Sequence, residues 1–95
     1  MPPGMDEEQG IWTFSDEART LMLRATADLP ELHAIVARAR REPELDDAWE
    51  VTASLEALDE LYSLVEALED ALRGRKQREL LEELRFSLSA VLDGF

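Results

Sequence analysis

The chain contains no cysteine, which excludes a disulfide framework, a thiolate zinc site and a cysteine nucleophile. Its single histidine excludes any site that needs two imidazoles from one chain. Basic residues are scarce: 10 Lys+Arg stand against 22 Asp+Glu, a formal net charge of -12. Nucleic-acid binding needs a basic footprint, and an anionic membrane surface repels a chain of this sign, so neither is expected as a partner. No stretch approaches the roughly 18 apolar residues of a membrane span. The start, Met1-Pro2-Pro3-Gly4-Met5-Asp6-Glu7-Glu8, is acidic and has no apolar run like that of a signal peptide. Cytoplasmic residence is the resulting expectation. Met5 offers a second start position.

The chemical motifs are missing too. There is no glycine-rich phosphate loop, no Gly-x-Ser-x-Gly elbow and no Asp-x-Asp-x-Asp-Gly calcium loop. His33 has Pro30 three residues before it, so the Glu-x-x-His of di-iron bundles is absent. His33 reads as a surface residue at the edge of a helical stripe. No catalytic residue, metal or cofactor is expected.

Glycine and proline number only four each, and strand-like alternation of Val and Ile is not seen. Between the breaks lie Leu, Ala, Glu and Arg, strong helix formers. The expected fold is therefore all-α: a small bundle of about four helices in a single domain, residues 11–95, behind a flexible tail over residues 1–10. The first helix starts at Ser15, an N-cap followed by Asp16 and Glu17, with the stripe Phe14, Ala18, Leu21, Met22, Ala25 and Leu29. The second covers about residues 30–41, with Pro30 in its first turn and the stripe Leu32, Ile35, Val36 and Ala39. The third is read as opening at Glu42-Pro43 and running to about Arg73, with Gly74 as its C′ glycine. The fourth runs from about Arg75 to Asp93. Its heptad seam is Leu81, Leu84, Leu88, Val91 and Phe95, flanked by Leu80 and Leu92. The last two helices form an antiparallel hairpin. Its turn, Arg73-Gly74-Arg75, lacks the Trp-x-Gly of WXG-type hairpins, so that family's properties do not carry over.

The third helix carries an apolar arc, including Leu58, Leu61, Val65, Leu68 and Leu72, that is wider than one partner helix covers. A second copy of the chain is the simplest supplier of the missing cover, so homodimerisation is expected, with a monomeric four-helix bundle as the alternative. Leu61, Val65, Leu68, Leu72 and Phe86 are the expected dimer or partner contacts. Phe86 stands among Glu79, Glu82, Ser89 and Asp93, opposite the seam, and Leu23 is similarly off its stripe.

The acidity is concentrated. Residues 42–70 contain Glu42, Glu44, Asp46, Asp47, Glu50, Glu56, Asp59, Glu60, Glu66, Glu69 and Asp70, and no Lys or Arg. Glu56, Asp59, Glu60, Glu66 and Asp70 fall on one helical face, opposite the leucines, at spacings where like charges repel. That face admits three readings: a solvated surface that maintains solubility, internal pairing with arginines elsewhere in the fold, or a binding face for a basic protein partner. The segment Ile11-Trp12-Thr13-Phe14 reads as a cap on the core. A ligand pocket lined by Trp12 and Trp49 is the functional alternative.

The expected function is a non-enzymatic protein–protein interaction module, a helical homodimer that presents this acidic face to a partner. The alternatives are an acidic inhibitor, such as an immunity protein, antitoxin or nucleic-acid mimic, and, more weakly, a small-molecule binder or enzyme.

Overall fold

The computed structural model describes residues 8–44 and 47–93. It corrects the all-α expectation. The fold is α+β: four helices pack on a three-stranded antiparallel sheet. The element order is β1 (Gln9–Ser15), α1 (Asp16–Ala25), α2 (Pro30–Ala37), β2 (Arg40–Arg41), β3 (Ala48–Ser54), α3 (Leu55–Ala71) and α4 (Arg75–Asp93). The strand order is β1-β3-β2.

Two segments account for the error. Ile11-Trp12-Thr13-Phe14 is not a cap but the middle of β1. Trp12 and Phe14 face the helices and are buried, while Ile11 and Thr13 face outward. Ala48–Ser54, expected as the early turns of the third helix, is β3. It pairs with β1 along its whole length, Trp12 opposite Val51 and Phe14 opposite Trp49. In Trp49-Glu50-Val51-Thr52-Ala53-Ser54 apolar and polar residues alternate at the strand period of two. The alternation is carried by Trp, Phe and Ala as much as by Val and Ile, so a search for β-branched runs misses it. Gln9 and Gly10, expected in a tail, belong to β1; residues 1–7 lie outside the described residues.

Both long strands pass into helices without a loop. Ser15 ends β1 and caps α1, its hydroxyl accepting from the Ala18 amide at 3.2 Å. Ser54 ends β3 and caps α3 in the same way through Ala57. The second helix ends at Ala37, four residues before its expected end, and Arg40-Arg41 form β2 instead. Arg38 is the C-cap of this helix, and its side chain donates to the Thr52 carbonyl at 2.8 Å. The third helix starts at Leu55 and not Glu42, and spans 17 residues, about 26 Å. Gly74 is not a left-handed C′ glycine: no described glycine has a positive φ, and the helix ends on Leu72 in extended conformation.

The core lies between the sheet and the helices. Trp12 and Phe14 stack with ring centroids 4.3 Å apart, and the Trp12 indole donates to the Ser87 hydroxyl at 2.9 Å. Leu58, Leu61 and Val65 of α3 meet Leu81, Leu84 and Leu88 of α4, all fully buried. Val91 and Leu92 are half-buried against this cluster, and Phe95 lies outside the described residues. The sheet and the N-terminal helices thus supply from within one chain the cover over Leu58, Leu61 and Val65 that a second copy was expected to provide, and leave Leu68 and Leu72 half-buried. The all-α bundle that this dimer was expected to complete is replaced by the α+β fold.

Candidate functional site

The expected contact residues separate into three groups. Leu61 and Val65 are fully buried inside their own chain and are unavailable to a partner. Leu68 and Leu72 are half-buried and line an open groove of about 330 Å³ between α1 and the hairpin end of α3 and α4, with Leu21, Ala25 and Leu80. Glu17, Thr20, Arg24 and Gln77 also line this groove. Phe86 is exposed at 64% and is the most exposed of the large hydrophobic side chains among the described residues.

The five expected acidic-face residues do lie together. Glu56, Asp59, Glu60, Glu66 and Asp70 are all exposed along α3. The wider acidic segment does not form one helix. Glu42 and Glu44 follow β2, Asp47 precedes β3, Glu50 lies within β3, and Asp46 is outside the described residues.

The cations decide how this face is read. All ten Lys and Arg residues are described, and each ion pair they make can be followed. Arg85 on α4 reaches Glu69 at 2.9 Å, an acid turned toward the hairpin interface. Arg41 pairs with Asp16 at 3.9 Å and Lys76 with Glu17 at 3.7 Å. Arg19 stacks on the Trp49 ring 4.1 Å from its centroid. None of these contacts reaches Glu56, Asp59, Glu60, Glu66 or Asp70. Internal pairing therefore accounts for Glu69; Arg85 also borders a shallow pocket with Glu66 and Asp70, but no described Lys or Arg forms an ion pair with the outer row.

The row continues beyond α3. An apolar notch of about 250 Å³ is lined by Leu29, Pro30 and Leu32 together with Glu31 and Glu60. Leu29, expected in the first helix's apolar stripe, is 40% exposed here. The start of α2 thus lies beside α3 and adds a hydrophobic step to an acidic surface. Sequence periodicity missed this notch because its two walls are more than 25 residues apart in the chain.

The remaining candidates resolve into structural roles. Trp12 is in the core and Trp49 lies between the guanidinium groups of Arg19 and Arg41, its indole donating to Asp16 at 3.0 Å. No pocket lined by both tryptophans is present among the described residues. His33 is half-buried, with Nδ1 3.2 Å from the Thr26 hydroxyl. That hydroxyl gives its one hydrogen to the Met22 carbonyl at 2.7 Å, so it accepts from a protonated Nδ1. Leu23 packs half-buried against the core.

One carboxyl has a shifted titration. Glu50 is raised above the ordinary glutamate value, first by a hydrogen bond shared with Glu42, then by partial desolvation and by the Glu42 charge. Among the described residues, no three His, Asp or Glu side chains stand close enough together to hold a metal ion. No helix of the described residues is long and apolar enough to cross a membrane. No family model, curated protein or solved structure matches the chain.

Proposed function

We infer that the protein is a non-enzymatic interaction module that binds a basic protein segment along the outer face of α3. One observation carries this reading: five exposed carboxylates, Glu56, Asp59, Glu60, Glu66 and Asp70, share a face on which no described Lys or Arg forms an ion pair, Arg85 at its border being held by Glu69. Like charges at these spacings cost a few tenths of a kcal/mol per pair on a helix. A cationic partner converts that repulsion into attraction and accelerates association. The Leu29–Leu32 notch gives the same surface an apolar foothold beside Glu31 and Glu60. A segment with Lys or Arg along one side and one apolar anchor fits both features.

The test compares the wild-type chain with a variant carrying Glu56→Gln, Asp59→Asn, Glu60→Gln, Glu66→Gln and Asp70→Asn, both immobilised and exposed to extract from cells that express the protein. Basic proteins should be retained by the wild type at low salt, released as ionic strength rises, and retained at least tenfold less by the variant. Equal retention on both surfaces would show that the acidic row is only a solvated face.

A further inference from the structure

The two edges of the sheet are built differently. The β2 edge is only two residues long and both are exposed arginines, Arg40 and Arg41. Short length and charge are the usual means by which an edge is kept from pairing with another chain. The β1 edge has neither. It is seven residues long, Gln-Gly-Ile-Trp-Thr-Phe-Ser, with no charged residue and no proline.

Its backbone is also free to pair. At one end the Leu55 amide donates to the Glu8 carbonyl, and at the other the Asp16 amide donates to the Asp47 carbonyl. These two bonds fix the parity of the ladder: even-numbered residues of β1 bond to β3. The amides and carbonyls of Gln9, Ile11 and Thr13, and the Ser15 amide, therefore point to the open edge. No described group bonds to those of Ile11 or Thr13.

Helix α4 runs along this edge. Val91 lies against Gly10, Ser87 holds the Trp12 indole, and Glu83 stands beside Phe14. Leu84 and Leu88, one position further round the helix, enter the core. Phe86 and Ala90, one position back, are exposed on the flank of α4 away from the core, the Arg85 guanidinium standing 5.5 Å from the Phe86 ring centroid. Ile11, at 58% exposure, lies on the outer sheet face of this edge, and Phe86, at 64%, lies on the helix that runs along it.

We propose that β1 pairs antiparallel with β1 of a second copy, joining two sheets into one of six strands about a two-fold axis at Trp12. The strand is suited to pair with itself in this register. Ile11 falls opposite the second copy's Thr13, and Gln9 opposite its Ser15, so edge-pointing groups meet edge-pointing groups. The interface closes on itself and leaves no further edge of this kind exposed. Phe86 lies level with Trp12, and so level with the two-fold axis. The strand itself is uncharged, while the flank of α4 brings Glu79, Glu82 and Glu83 near the contact and each chain carries -12 overall, so the two copies repel until salt screens them. The strand edge is about 23 Å long. With the flank of α4 above it, the interface covers on the order of 500 Å² per copy, at the small end of specific interfaces, so association is expected to be weak.

Sedimentation of the full chain from micromolar to submillimolar concentration tests this. The mass should rise from 10.8 kDa toward twice that value. At fixed concentration it should rise further with salt, because screening relieves repulsion between two acidic chains. Amide exchange at Ile11 and Thr13 should slow by about tenfold as the dimer fills. Ile11→Lys and Phe86→Lys alter side chains outside the core, so each should leave the helical signal intact and lower the association constant at least tenfold. Leu72→Lys, in the groove at the other end of α4, should leave association unchanged. A mass that stays at 10.8 kDa throughout overturns the proposal. So does a dimer that survives Ile11→Lys and Phe86→Lys, one that is lost in Leu72→Lys instead, or one that weakens with salt.

Discussion

Gly10 lies against both α3 and α4. A Cβ there would overlap Val91 Cγ1 and come within 3.2 Å of both Leu55 and Leu58. The glycine is required by close approach and not by backbone conformation, since no described glycine has a positive φ. Gly10→Ala should therefore cost about 1–3 kcal/mol of stability, as overpacking does. At Gly74 an added carbon meets only the flexible end of Gln77. Gly74→Ala should gain about 0.4–1 kcal/mol by restricting the unfolded chain. Urea denaturation of the two variants should move in opposite directions. A second residue-scale prediction concerns Glu50, whose raised carboxyl binds its proton more tightly in the folded chain than in the unfolded one. Stability from this group is gained as pH falls toward the folded value and lost above it. Glu42→Gln removes both the shared hydrogen bond and the neighbouring charge. It should raise the melting temperature at neutral pH, with the gain shrinking as pH is lowered through the glutamate range. A gain that is constant with pH would place its origin elsewhere.

At the scale of elements, the decisive features are two strand-to-helix junctions with no intervening loop. Ser54 completes a ladder with β1 and opens α3 through its hydroxyl. Ser54→Ala should cost about 1 kcal/mol, read as a lower denaturation midpoint with an unchanged slope. The Ser15 cap was legible in the sequence because Asp16 and Glu17 follow it and a clear helical stripe begins there. The Ser54 cap was not, because Glu42 to Ala71 reads as one helix-compatible run when composition alone is weighed. Its signal was the alternation from Trp49 to Ser54, which changes to helical spacing at Leu55. The hairpin of α3 and α4 was visible for the opposite reason: its leucines keep helical spacing over 17 and 19 residues, long enough for periodicity to dominate.

Across the whole molecule, charge and apolar surface are segregated. The outer row of α3 is acidic and forms no ion pair among the described residues, while the β1 edge is uncharged and carries the exposed Ile11. Binding at the first should weaken with salt and pairing at the second should strengthen, so ionic strength separates the two. The sequence by itself determined the acidity, the absence of thiol chemistry, the long helical hairpin and the set of carboxylates on one face of α3. These follow from composition and from periodicity within a single element. Only the tertiary structure decided which leucines were already covered, which carboxylates had a cation within reach and which backbone groups remained unpaired. Leu61 and Leu68 are equivalent in the sequence pattern, yet one is sealed in the core and the other lines a groove. The difference lies in contacts with α1, α2 and the sheet, and pairings between distant segments leave no period within the helix itself.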